Sequence, residues 1–125
     1  MPQVSICVDV SDIKQGTKFY ATALGCEIKR EKYQSSELTT ENITIHLIEK
    51  EENSNPLINE SASRNYKRHW TPVHLDFAVA DIQKTVSLIQ EFGGTVEEKK
   101  EGEWGAAAFC ADPFGNGFCI IKINA

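Results

Sequence analysis

VSICVDVSDI, at residues 4–13, and VHLDFAVADI, at residues 73–82, are two copies of one pattern. In each copy apolar residues alternate with small or polar ones, which is typical of a β-strand with one face on a core. The alternation ends at Asp12 or Asp81, a residue type that caps helices. The sequence therefore predicts an internal repeat, in which each copy begins as a strand followed by a helix.

The rest of each copy follows the same plan. Apolar residues recur at helical spacing after each aspartate, and both helical patterns end near glycine, Gly25 in the first copy and Gly93 in the second. Three short strands are predicted next, over residues 26–32, 37–40 and 43–49, and again over residues 95–100, 106–111 and 117–123. Each half thus has the order βαβββ. We predict one domain over residues 1–125, with module one at 1–50, a polar linker at 51–71 and module two at 72–125.

Composition excludes several classes of function. The 125 residues are 41% hydrophobic, enough for one core, and the net charge of -5 argues against binding to nucleic acid or anionic membranes, which attract basic surfaces. No stretch approaches the ~20 apolar residues of a membrane span, and no signal peptide is evident. The four cysteines are scattered, as in proteins of reducing compartments. We expect a cytoplasmic protein that binds a small molecule, without nucleic acid or membrane partners.

These features together resemble the vicinal oxygen chelate superfamily, which includes glyoxalase I, the bleomycin and fosfomycin resistance proteins and the extradiol dioxygenases. The resemblance rests on Asp12-Ile13, Trp104-Gly105, the strand around His74, and DPFGNGFC at residues 112–119. It implies an α+β fold in which two βαβββ modules form a U-shaped mixed sheet around a concave cavity, with the helices on the convex side. It also implies a homodimer, formed either by packing of complete chains or by exchange of modules.

Alternation of side chains along the strands selects the residues that face this cavity, because successive residues point to opposite faces. The apolar residues of each strand are assigned to the helix side, which leaves the polar ones inward. Trp104 is added because it lies just before the seventh strand. The predicted cavity residues are Ser5, Cys7, Asp9, His46, His74, Asp76, Trp104 and Cys119.

A metal site is one interpretation of this set. Metal-binding members of the superfamily carry one ligand on each of four strands, and the resemblance places these positions at Ser5, His46, His74 and Cys119. Because serine is a poor ligand, His46, His74 and Cys119 are the candidates, with Zn, Ni, Mn or Fe as the metal. In the alternative interpretation the histidines are hydrogen-bonded cavity residues and Cys119 is a small buried hydrophobic residue. The usual family glutamate is absent, and Asp76 or Asp9 is the candidate replacement as a base.

Three classes of function remain open. We favour a small-molecule-binding protein that holds its ligand in the concave cavity without the full metal site, because Ser5 and Cys119 occupy two of the four ligand positions. The alternatives are a metal-dependent lyase, isomerase or dioxygenase, and a non-catalytic accessory or regulatory subunit. The basic aromatic segment at residues 64–70 either covers the cavity mouth or is a solvated linker anchored by Trp70, and we favour the linker.

Overall fold

The computed structural model of the protein describes residues 1–58 and 62–124, so residues 59–61 of the predicted linker and Ala125 lie outside the described residues. Two βαβββ modules are present, which confirms the predicted α+β class. Module one consists of β1 (Ser5–Val10), α1 (Ile13–Lys18) with a π-helical continuation (Phe19–Ala23), β2 (Glu27–Lys32), β3 (Ser35–Thr39) and β4 (Thr44–Glu49), and module two of β5 (Leu75–Ala78), α2 (Ile82–Glu91), β6 (Thr95–Gly102), β7 (Gly105–Ala111) and β8 (Gly117–Ile123).

Both helices begin at the repeated aspartate. The Asp12 carboxylate accepts a 3.0 Å hydrogen bond from the backbone N–H of Gln15, and Asp81 accepts the same bond from Lys84. Each aspartate thus satisfies one of the N–H groups that a helix start leaves without an intrahelical partner. Neither helix is long and apolar enough to cross a membrane.

The eight strands form two separate four-stranded sheets, in the orders β1-β4-β3-β2 and β5-β8-β7-β6. In each sheet the first and last strands of the module are parallel neighbours, and the remaining pairs are antiparallel. β1 and β5 are edge strands, and no backbone pairing joins them within residues 1–58 and 62–124. The predicted U-shaped arrangement is therefore divided at this seam into two sheets.

One hydrophobic core runs through both modules. Alternation within the strands sends Val10, Ile45 and Leu47 toward the helices, where they are completely buried. Phe19, on the π-helical continuation of module one, packs edge-to-face against Phe118 of β8, with ring centroids 6.1 Å apart. The helix side of each sheet is thus closed by the core, and the other side is open.

Candidate functional site

The open face of module one carries a row of four polar side chains, one from each strand. The strand register places Cys7 beside His46, His46 beside Glu37, and Glu37 beside Arg30. A bulge between Ile28 and Arg30 sets the last pairing. These residues lie in a cleft of about 460 Å³, called here the module-one cleft, which is lined by Ser5, Cys7, Arg30, Lys32, Ser35, Ser36, Glu37, His46 and Ile48.

The open face of module two has the corresponding row with different chemistry. Its register places Asp76 beside Cys119, Cys119 beside Phe109, and Phe109 beside Glu98, again after a bulge in the outer strand. Cys7 and Asp76 occupy the same place in the sequence repeat, so the register makes His46 the structural equivalent of Cys119. The resemblance also gives His46 and Cys119 corresponding positions in the fourth and eighth strands, and the strand register agrees with this correspondence.

His74, Asp76 and Cys119 form a compact cluster at the start of this face. Their imidazole nitrogen, carboxylate oxygen and thiol sulfur all lie within 4.8 Å of one another. His74 Nδ1 is 3.3 Å from Asp76 Oδ1. Burial, followed by the neighbouring Asp76 carboxylate, raises the pKa of the Cys119 thiol to about 11. The thiol is consequently protonated at neutral pH and is a poor nucleophile in this state.

This cluster does not include His46 or Ser5. Both lie in the module-one cleft, on the other sheet. Of the four positions that the resemblance assigns to a metal, the structure thus brings His74 and Cys119 together and places the other two elsewhere. Asp76, which the sequence predicts as a cavity residue and a candidate base, is the third member of the cluster. The chemistry of the trio suits Zn²⁺, because imidazole, carboxylate and thiolate are all zinc ligands, whereas the sulfur is a poor match for Mn²⁺.

A larger cavity lies between the two modules. It has a volume of about 570 Å³ and is called here the seam cavity. Cys7 lines both the seam cavity and the module-one cleft, so the two spaces adjoin there. His74 lines the seam cavity and also belongs to the cluster with Asp76 and Cys119. The walls of the seam cavity come from β1, the π-helical segment, the linker, β5 and the start of β8, through Ile6, Cys7, Val8, Asp9, Tyr20, His69, Thr71, Val73, His74, Leu75, Asn116, Gly117 and Phe118.

The linker forms one wall of the seam cavity and is held to both modules. Arg64 Nε donates a 2.8 Å hydrogen bond to the carboxylate of Asp9 in β1. The backbone N–H of His69 donates to the carbonyl of Gly115 at 3.0 Å. Gly115 has a positive φ of 84°, and a Cβ at this position would lie 2.3 Å from the Lys67 carbonyl oxygen. Glycine is therefore required for the linker to approach the turn this closely.

Trp70, and not Trp104, is the tryptophan of the open face. Its ring packs edge-to-face against His74 and Phe109, with centroids 5.6 Å and 6.1 Å away. The Arg68 guanidinium lies over the Trp70 ring, 4.3 Å from its centroid. Trp104 lies in the turn between β6 and β7 and lines neither the seam cavity nor the module-one cleft. Trp70 shares a space of about 370 Å³ with His74, Glu97, Glu98 and Phe109.

The sequence prediction did not include most lining residues of the seam cavity, among them Tyr20, His69 and Asn116. Tyr20 is one of the apolar residues at helical spacing after Asp12, and His69 lies in the basic aromatic segment. Asn116 belongs to the turn at residues 112–116, between β7 and β8. In the structure its side chain donates to Asp112 at 2.9 Å and to the backbone carbonyl of Asp9 at 3.4 Å, so the turn also joins the modules.

A comparison against known families agrees with the fold. A glyoxalase-like domain model matches residues 5–121. The chain therefore belongs to the glyoxalase-like family, within the vicinal oxygen chelate superfamily, as its motifs predicted. A search among curated proteins finds no match.

Solved structures with the same fold come from several bacteria. The fosfomycin resistance protein FosX from Listeria monocytogenes is 15% identical, with 99% of this chain and 94% of FosX covered and a TM-score of 0.72. A glyoxalase/bleomycin resistance protein from Albidiferax ferrireducens is 19% identical, with 96% and 97% covered and a TM-score of 0.69. A FosX variant from Listeria monocytogenes, complexed with Mn(II) and dihydroxypropylphosphonic acid, is 13% identical, with 98% and 92% covered and a TM-score of 0.70. At these identities the likeness establishes the fold alone.

Proposed function

We propose that this protein binds a small organic molecule in the seam cavity, without the full metal site of its family. The observation that carries the proposal is the cavity itself, which is built from both modules and the linker and measures about 570 Å³. Small-molecule sites have volumes of roughly 300–1,000 Å³ and combine apolar walls with a few polar groups. Val8, Leu75 and Phe118 supply apolar surface here, and Asp9, His69 and Asn116 supply polar groups.

The polar groups define the contacts available to a ligand. His69 Nδ1 lies 2.7 Å from the Lys67 carbonyl oxygen, so it carries the proton in this contact, and Nε2 is left as an acceptor when the ring is neutral. Asp9 is engaged by Arg64, and Asn116 by Asp112. A ligand that donates one hydrogen bond and buries an apolar body would match this arrangement.

The test is a pair of substitutions at equivalent positions of the repeat. Val73 lines the seam cavity, whereas Val4, its counterpart, does not, and both side chains are largely exposed. Val73→Trp should fill the cavity with little cost to the core, and Val4→Trp adds the same bulk elsewhere. Compounds that raise the melting temperature of the wild type should lose this effect in Val73→Trp and keep it in Val4→Trp. Equal responses of the two variants would refute the seam cavity as the binding site.

The His74, Asp76 and Cys119 cluster supports a second candidate, a metal-dependent enzyme of the same superfamily. The solved FosX variant was complexed with Mn(II), so metal binding occurs on this fold. In this chain the three residues would hold the ion, and a bound metal would polarise substrate oxygens as a Lewis acid. Cys119 must lose its proton to become a ligand, so metal uptake should release protons and strengthen as the pH rises.

Metal counting separates the two candidates. Purified, reduced protein is dialysed against Zn²⁺, Ni²⁺, Mn²⁺ and, without oxygen, Fe²⁺, and bound metal is measured by mass spectrometry. His74→Ala removes a ligand of the cluster, and His69→Ala is the control, since His69 lies outside the cluster. About one ion per chain, lost only in His74→Ala, would favour the enzyme. No uptake, or equal uptake by both variants, would leave the cavity as a metal-free binding site.

We also expect a homodimer. β1 and β5 are edge strands with unpaired backbone groups, and Val4 and Val73, which precede them, are 70% and 81% exposed. Such edges favour pairing with a second chain. Light scattering should give twice the chain mass of 14.0 kDa. A particle of the single-chain mass at high concentration would contradict the dimer.

A further inference from the structure

From its charge and its free hydrogen-bonding groups, we infer that the module-one cleft is a second binding site, which takes an oxyanion group that also carries a hydrogen-bond donor. Arg30 and Lys32 point to the same face of β2 and line the cleft of about 460 Å³ together with His46. Two permanent cations face one carboxylate, Glu37, in this space. The cleft is thus positive although the chain carries a net charge of -5.

The cationic groups of the cleft have no partner elsewhere in the described residues. No side-chain hydrogen bond or ion pair within residues 1–58 and 62–124 engages Arg30, Lys32 or His46. The other two arginines of the chain are paired, Arg64 with Asp9 and Arg68 with Glu97. Even Lys29, next to Arg30, pairs with Glu27 at 3.1 Å. The donors of the cleft are therefore available to a ligand.

Comparison with module two indicates that this chemistry is not a by-product of the fold. The register makes Glu98 the equivalent of Arg30, and Phe109 the equivalent of Glu37. The positive charge of Arg30 is thus replaced by a negative one in module two, and the negative charge of Glu37 is replaced by an uncharged aromatic ring. Lys100, the equivalent of Lys32, keeps its positive charge and lies over the Phe109 ring. The two modules therefore differ at Arg30 and Glu37, which give the module-one cleft its second cation and its carboxylate.

The carboxylate of Glu37 limits the kinds of anion that the module-one cleft can bind. This carboxylate lies in the row between His46 and Arg30, and it has no hydrogen-bond partner among the described side chains. A dianion without protons, such as sulfate, would be repelled by it. An anionic group with an O–H, such as hydrogen phosphate or a hydroxycarboxylate, can accept from Arg30 and Lys32 and donate to Glu37. The carboxylate therefore selects for anions that also donate.

The experiment is a calorimetric titration with three probes: inorganic phosphate, glycolate and sulfate. Arg30→Gln should weaken binding of phosphate or glycolate about tenfold, since a charge-assisted hydrogen bond is lost. Lys29→Gln removes the same charge outside the cleft and should leave affinity within about twofold, because exposed charges act weakly at a distance. Glu37→Gln should lower the ratio of the affinity for phosphate to the affinity for sulfate.

Each outcome bears on the proposal. Phosphate binding without glycolate binding would identify the ligand group as a phosphate, and the reverse as a hydroxycarboxylate. The inference fails if none of the probes binds saturably, or if Arg30→Gln and Lys29→Gln behave alike. Val73→Trp, which fills the seam cavity, should retain binding of the probe, so failure of the seam-cavity proposal can be recognised independently of this one.

Discussion

The Tyr20 hydroxyl donates a 2.7 Å hydrogen bond to the Asp112 carboxylate, and both side chains are buried. The bond joins the helical segment of module one to the turn between β7 and β8 of module two. Asp112 also accepts from the backbone N–H groups of Phe114 and Asn116, at 2.8 Å and 3.0 Å. One carboxylate thus shapes the turn, fixes the neighbouring module and supports the seam cavity that Tyr20 lines.

Tyr20→Phe should therefore destabilise the protein. The substitution keeps the ring in the core and removes one hydrogen bond from a buried carboxylate. The free energy of unfolding, measured by urea denaturation, should fall by about 1–3 kcal/mol. Tyr33→Phe is the matched control, since Tyr33 is 90% exposed and should show no change. An equal, negligible effect of both substitutions would mean that the contact between Tyr20 and Asp112 contributes nothing to stability.

The same contact predicts a steep loss of stability in alkali. Burial, followed by the charge of Asp112, raises the pKa of Tyr20 well above 10. The unfolded chain loses the tyrosine proton near pH 10 while the folded chain keeps it, so this contribution is full below pH 10 and is lost as the pH rises toward the folded-state pKa. Above pH 10 the wild type should lose about 1.4 kcal/mol more per pH unit than Tyr20→Phe. Parallel curves for the two proteins would contradict the raised pKa.

Features of this structure that depend on neighbouring residues in the chain could be predicted from the sequence, whereas features that depend on contacts between distant residues could not. The strands and the aspartate caps depend on local pattern, so the βαβββ order and the helix starts at Asp12 and Asp81 were predicted from the residues. The family motifs likewise predicted the fold. Cys119 and His74 were placed on one face by alternation, because a strand reverses its side chains at every residue.

The arrangement around the cavities depends instead on how the modules pack. Alternation assigns His46 to an open face but does not say that this face belongs to a separate sheet. Trp70 and His69 enter through the linker, whose course is set by Gly115 and by Arg64 on Asp9, and periodicity carries no signal for these contacts. The turn motif from Asp112 to Asn116 is visible in the sequence, but the motif carries no sign that the turn also contacts module one through Tyr20 and Asp9.

Cysteine reactivity should distinguish the four thiols. Cys7 is exposed, and the other three are buried. Burial raises the pKa of Cys26 to about 11 and that of Cys110 to about 12, and burial with Asp76 raises the pKa of Cys119 to about 11. At pH 8 the native protein should therefore take up one iodoacetamide rapidly, as seen by intact mass, because the thiolate is the reactive form.

The Cys7→Ser variant should lose this rapid modification, and all four thiols of the wild type should react in urea. Rapid labelling of Cys119 in the native protein would contradict its burial and its raised pKa. Addition of Zn²⁺ provides an independent check of the second candidate function, since a metal held by Cys119 would alter the response of that thiol alone.

Gly117→Ala should displace Trp70 from the open face. A Cβ at this position would lie 2.7–2.9 Å from three atoms of the Trp70 ring, closer than carbon atoms can approach. The ring would have to leave its contacts with His74 and Phe109, and the linker wall of the seam cavity would move with it. In a Trp104→Phe background, which leaves Trp70 as the single tryptophan, the emission maximum should shift to longer wavelength as the ring enters water.

Gly25→Ala is the control, because its φ of 75° makes alanine strained while no atom lies within 4 Å of the added Cβ. Both substitutions should lower stability, the control by about 1 kcal/mol, but the emission of Trp70 should change in Gly117→Ala alone. Unchanged emission in that variant would show that Trp70 is not held against Gly117.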